Sequence, residues 1–287
     1  MPQRMTRRTT IFSLLLMAAL AAIFAVTVVA QGPHGPHSET AGKTAERVPV
    51  VVELFTSEGC SSCPPADKIL ERLTSDGGSR ELRGADLILL GEHVDYWDYL
   101  GWRDKFSSPQ FSNRQQNYGK SMHAANIYTP QMVFNGRTEA LGSDFKAVSN
   151  AIASEARESR NNPKTRTAVN LKMLNDDDFE VRVGRLPESS HGADLLLAIT
   201  EDGLSTAVKA GENEGRRLTH AAVVRKLTKL GSLDRDSSDT HVTEARLNLR
   251  KEWKRNNLTL VVLVQDRESR EIFGAAQLGL QANRGLK

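Results

Sequence analysis

The apolar positions of this chain fall into three regimes. Ile11 to Ala30 is uncharged and mostly apolar, and it follows Arg4, Arg7 and Arg8. Gln31 to Arg47 then carries Gly, Pro, His, Ser and Thr with little apolar content, the composition of a flexible linker. From Val48 onward, short apolar runs alternate with helical spacing. Val48 to Phe55 predicts a strand, Pro64-Pro65 followed by Ile69, Leu70 and Leu73 a helix ending near Asp76-Gly77-Gly78, and Ala85 to Leu90 a strand buried on both faces. An aromatic loop, Val94 to Trp102, leads into a helix from Ser108-Pro109 to about His123. Gln131 to Phe134 and Thr138 to Leu141 flank Asn135-Gly136, a two-residue hairpin signal, and Gly142-Ser143-Asp144 caps a helix running through Phe145, Val148 and Ile152.

Past Pro163 only strand-like runs recur, at Val169 to Leu174, Phe179 to Val183, Leu195 to Ile199, Ala221 to Leu227, Ala245 to Leu249 and Leu258 to Val264. Asp176-Asp177-Asp178, Asp202-Gly203 and Asn256-Asn257 separate them as turns do in an antiparallel sandwich. The pattern predicts an α/β domain over 48–163, with a mixed sheet flanked by helices, and a small antiparallel β-sandwich domain over 164–287.

Length agrees with two domains, since 287 residues exceed one typical core. The net charge of +3 resides in the three N-terminal arginines, which leaves 35 basic and 35 acidic residues elsewhere. So balanced a body gives no electrostatic footprint for nucleic acid. Residues 1–30 have the layout of an export signal, ending in Val28-Val29-Ala30, yet the apolar run of about twenty residues is also long enough to serve as a single N-terminal membrane anchor. Either way the remainder is expected outside the cytoplasm, periplasmic or secreted. His34 and His37 fall in the linker of 31–47, where a solvated segment is the expectation.

Only two cysteines are present, Cys60 and Cys63, in the order Cys-Ser-Ser-Cys. An exported protein can keep structural disulfides, but a bridge across so short a loop constrains the unfolded chain little. Three roles remain open: thiol–disulfide exchange, half of a metal site, and an inert short bridge. For exchange, Cys60 near a helix N-terminus is the expected nucleophile and the more exposed and more acidic thiol, with Cys63 resolving the mixed disulfide. Copper or zinc chaperoning would use both thiolates with His93, which leaves the second strand at the same sheet edge as Cys60. His93 is equally read as an ion-pair partner of a thiolate or as a strand cap.

The stretch from Leu54 to Asp67, with Glu58-Gly59-Cys60-Ser61-Ser62-Cys63-Pro64-Pro65 at its centre, resembles exported thioredoxin-like proteins of the domain of unknown function 1223 family. His93-Val94-Asp95-Tyr96-Trp97 and Tyr128-Thr129-Pro130-Gln131-Met132-Val133 extend the likeness. The resemblance implies a thioredoxin-like fold over Val48 to about Arg160, and the Cys-Ser-Ser-Cys pair itself is read first as a thiol–disulfide oxidoreductase acting on protein or small-molecule thiols and disulfides, with no cofactor expected. The resemblance further implies a cis bond before Pro130, with Thr129 presenting its backbone to substrate. His93 and Trp97 are the other expected substrate contacts. A non-catalytic partner-binding module is the remaining alternative.

Overall fold

The computed structural model describes residues 47–75, 82, 84–235 and 240–280. The export or anchor segment, the linker with His34 and His37, and the glycines expected to end the first helix lie outside the described residues. No helix among the described residues is long and apolar enough to cross a membrane.

In chain order the first half consists of β1 (Val48–Thr56), α1 (Pro64–Thr74), β2 (Ala85–His93), α2 (Pro109–Ser121), β3 (Gln131–Phe134), β4 (Thr138–Leu141) and α3 (Phe145–Asn161). β1 is apolar along most of its length because both its faces are covered. Val50, Val52 and Leu54 meet α1 and α3, while Val51 and Phe55 turn to the α2 side. It runs parallel to β2 and antiparallel to β3. The β3–β4 hairpin turns on Asn135 and Gly136, with φ of 48° and 68°, the two positive values a two-residue turn of this hand requires. Asn135 also accepts a hydrogen bond from the Val51 N–H through Oδ1 at 2.9 Å, tying the turn to β1.

The second half adds β5 (Val169–Met173), β6 (Asp178–Val183), β7 (Ala193–Glu201), β8 (Leu204–Ala207), β9 (Arg217–His220), β10 (Val223–Leu233), β11 (His241–Arg246), β12 (Leu258–Asp266) and β13 (Ile272–Gly279). The expected architecture, a helix-flanked thioredoxin-like domain followed by a separate small β-sandwich, is not what these strands build. The protein is mostly β. One eight-stranded mixed sheet in the order β13-β12-β7-β10-β2-β1-β3-β4 runs through both halves, with three α-helices among the described residues. The seam is at Gly91, whose N–H donates to the Ala222 carbonyl at 2.7 Å and whose register partner is Val223. A Cβ at Gly91 would press on the carbonyls of Ala221 and Ala222, so glycine lets β10 close on β2.

The physical reason lies in β7 and β12. Leu195, Leu197 and Ile199, with Leu258, Leu260, Val262 and Val264, face the three-stranded sheet β11-β6-β5 through Phe179, Val181 and Val183. Their alternate residues Leu196, Ala198, Val261 and Leu263 face Phe111 of α2. Strands covered on both sides belong to the middle of a large sheet, not to a free-standing sandwich. A two-stranded ribbon, β8–β9, stands apart and carries the loop that reaches the cysteines.

Candidate functional site

Cys60 and Cys63 are joined in a disulfide at the end of β1. Cys63 is the residue that caps α1, and its carbonyl accepts the N–H groups of Ala66 and Asp67 at 2.9 and 3.1 Å. Pro64 and Pro65 fill the first turn, where a missing N–H breaks no helical bond. Both sulfur-bearing residues are buried at 0% exposure, whereas Ser61 and Ser62 between them are exposed. The greater exposure expected of Cys60 is therefore absent in the oxidised form.

The loop is held from every side. Glu58 N–H donates to Asp104 Oδ2 at 2.9 Å, Gly59 N–H to Ser57 Oγ at 3.1 Å and Ser61 N–H to Glu212 Oε2 at 3.1 Å. Asn213, fully buried in the β8–β9 loop, donates its amide to the carbonyls of both Glu58 and Cys60 at 2.9 Å. Its own oxygen accepts from Arg216 Nη1 at 3.0 Å, so the amide is fixed in this orientation. The disulfide loop thus needs a clamp more than 150 positions away in sequence.

The bond between Thr129 and Pro130 is cis, and its loop meets the disulfide. Thr129 Oγ1 lies 3.4 Å from Cys60 Sγ, and Ser62 Oγ lies 3.3 Å from the same sulfur and 3.4 Å from the Thr129 carbonyl. Trp97 donates its indole N–H to Thr129 Oγ1 at 2.9 Å, and its Cβ and carbonyl sit where a side chain on Gly59 would go. The structure therefore brings together Cys60, Cys63, Thr129, Pro130 and Trp97.

His93 is placed differently. At 1% exposure it lies in a buried polar cluster, its Nδ1 2.6 Å from Asp104 Oδ2 and its ring 4.9 Å from that of His220. His220 Nε2 is 3.4 Å from Glu58 Oε1, and its Nδ1 is 4.0 Å from Asp67 Oδ2. Thr56 Oγ1 donates to Asp67 Oδ1, and the Trp102 indole donates to Glu58 Oε2 at 2.8 Å. Burial opposes charge on His93, but the Asp104 carboxylate outweighs it and raises the imidazole above its ordinary value. Burial acts the other way on Asp104, yet His93 and the N–H groups of Glu58 and Phe106 hold it low. Burial pushes the Asp67 carboxyl up against the pull of His220 and His93. Among the described residues no group of three or more His, Cys, Asp or Glu is arranged to hold a metal ion.

These shifts fix a pH signature. The depressed Asp104 contributes stability above the ordinary carboxylate range that is lost as pH falls. The raised His93 contributes stability below the ordinary imidazole range that is lost as pH rises. His93→Asn is expected to cost about 3–5 kcal/mol by leaving Asp104 buried without its cation. The deficit is expected to be widest at mildly acid pH and narrower on both sides. Urea unfolding of both proteins across pH checks it, and a deficit that keeps widening into alkaline pH would rule the ion pair out.

Asn213, Glu212, His220 and Asp104 escape a sequence reading. Gly211 and Gly215 mark the β8–β9 loop as a turn, with φ of 77° at each, but nothing in Glu212-Asn213-Glu214 says what the turn touches.

Fold and site together define a protein with a clamped Cys-Ser-Ser-Cys disulfide at the end of a central strand of a large mixed sheet. The family described as protein of unknown function (DUF1223) matches residues 51–265, and the chain belongs to it. No curated protein matches. A crystal structure of a protein from Agrobacterium tumefaciens, a structural-genomics target, is similar at 27% identity and a TM-score of 0.65, over 84% of this chain and 98% of that one. HBP35 of Porphyromonas gingivalis is 14% identical with a TM-score of 0.57, over 85% of this chain and 80% of that one, a likeness of fold alone.

Proposed function

We propose that the chain is an exported thiol–disulfide oxidoreductase, acting on protein or small-molecule thiols without a cofactor. One observation carries this reading: the Cys60 sulfur is met by the hydroxyls of Thr129 and Ser62, on residues that reach the surface, while Cys63 is enclosed as the cap of α1. Export is supported by the arginines and apolar run of residues 1–30.

In the reducing direction the Cys60 thiolate attacks one sulfur of a substrate disulfide, forming the Cys60–substrate bond and releasing the other substrate sulfur as thiolate. Cys63 thiolate then attacks Cys60 Sγ, closing the internal disulfide and releasing the second substrate thiolate. Two electrons pass from the protein to the substrate, and the reverse sequence oxidises a dithiol. Asn213 and Glu212 hold the loop backbone through both steps, so the two sulfurs stay within bonding reach.

Equilibration of the folded chain with dithiothreitol buffers of graded redox poise tests the proposal. Alkylation and mass measurement are expected to show a single two-electron transition, from no free thiol to two per chain, with the fold retained. A disulfide that resists reduction until the chain unfolds would make it an inert bridge.

A further inference from the structure

A thiolate at the start of a helix normally draws on the orphan N–H groups of the first turn. Here much of that source is already engaged. Pro64 and Pro65 have no N–H, those of Ala66 and Asp67 go to the Cys63 carbonyl, that of Cys63 goes to the Cys60 carbonyl at 3.2 Å, and that of Ser61 goes to Glu212. The side-chain groups that do meet Cys60 Sγ are the hydroxyls of Thr129 and Ser62.

A hydroxyl has one proton, and its direction decides what it does. Ser62 has a competing acceptor in the Thr129 carbonyl. Thr129 Oγ1 receives the indole N–H of Trp97, and an indole can only donate. The Thr129 proton must therefore turn away from Trp97, and Cys60 Sγ lies within its reach. The rival acceptor is the Tyr96 hydroxyl, which also contacts Thr129 and gives its own proton to Gln115 Oε1.

We propose that Trp97 is a positioning residue for the exchange: by donating to Thr129 Oγ1 it aims the Thr129 hydroxyl at Cys60 Sγ, where that hydroxyl stabilises the thiolate. This inference rests on the exchange proposed above and gives Trp97 a role other than contact with substrate. The ionisable groups around the loop are Glu58, Asp67, His93, Asp104 and His220 of the buried cluster, Glu212 at Ser61 and Tyr96 beside Thr129. All are left intact in the variants below.

The test is a pH titration of thiolate ultraviolet absorbance in a Cys63→Ser background, which leaves one thiol and needs no exchange activity. Trp97→Phe is expected to raise the Cys60 midpoint by about one unit, the worth of one hydrogen bond to a charged group. Thr129→Val is expected to raise it at least as much, Thr129→Ser to leave it near its starting value, and Trp97→Phe to add nothing in the Thr129→Val background. An unchanged midpoint in Trp97→Phe, or an equal shift with and without the Thr129 hydroxyl, overturns the proposal. Should Trp97→Phe fail to fold, equal midpoints for Thr129→Val and Thr129→Ser overturn it instead. A chain that shows these midpoints yet never exchanges with dithiothreitol would lose the oxidoreductase reading and keep the positioning one. Exchange with an unmoved midpoint would do the reverse.

Discussion

Arg114→Met is expected to destabilise the protein by about 3–5 kcal/mol at neutral pH, because it strands two buried carboxyl groups. Glu53 on β1 and Glu92 on β2 are both fully buried and point to the same side of the sheet, and one guanidinium serves them. Arg114 Nε lies 2.5 Å from Glu53 Oε2 and 3.3 Å from Glu92 Oε1, while its Nη atoms donate to Gln265 Oε1 and Tyr118 Oη at 2.9 Å. Tyr118 donates to Glu53 Oε1 at 2.5 Å, and Gln265 donates to Tyr118 Oη at 2.8 Å, so the network spans both halves of the large sheet. Burial, reinforced by Glu53, already drives the Glu92 carboxyl well above its usual range. A carboxyl raised on folding favours the native state at low pH and costs stability as pH rises through its folded value. The Arg114→Met deficit is therefore expected to shrink as pH falls and protons replace the missing cation. Urea unfolding at neutral and mildly acid pH checks this, and a deficit below about 1 kcal/mol, or one that does not change with pH, would contradict a shared buried cation.

Local elements were legible where a single physical rule decides them. The Asn135-Gly136 turn, the Pro64-Pro65 helix start and the Asp144 cap, which accepts from the N–H groups of Lys146 and Ala147, each follow from backbone chemistry. β3 and β4 occupy the residues expected of them. The strands that periodicity misses or misplaces are those with weak patterns: β8 and β9 are four residues each and mixed in polarity, β11 covers His241–Arg246 rather than Ala245 to Leu249, and β13 contains Gly274 and Gly279. How the strands join is not legible locally. Continuous apolar runs at β7 and β12 signal cover on both faces, but nothing local says that the same sheet continues through Gly91 into β2.

The site divides in the same way. Cys60, Cys63, Thr129, Pro130 and Trp97 are near one another because the turns after β1 and β2 and the turn before β3 open on one edge of the sheet. His93 is carried to the expected sheet edge, but Asp104 and His220 hold it inside, and a lone histidine after a strand does not reveal such partners. Asn213 and Glu212 were illegible because their contact depends on where the β8–β9 ribbon lands.

In the proposed exchange Cys60 attacks and Cys63 resolves. The proposed division rests on the neighbours of Cys60 Sγ, the hydroxyls of Thr129 and of exposed Ser62, whereas the Cys63 backbone is held in the first turn of α1 by two hydrogen bonds to its carbonyl. Exposure alone does not distinguish the two, since both are buried when oxidised. The most direct measurement presents Cys60→Ser and Cys63→Ser with an aromatic disulfide such as dithionitrobenzoate and follows release of the coloured thiolate, with the adduct located by mass. Cys63→Ser is expected to form a stoichiometric and persistent mixed disulfide at Cys60, because the attacker remains without its resolver, and Cys60→Ser to react at least tenfold more slowly. Equal rates in the two variants, or faster reaction in Cys60→Ser, would contradict the assignment.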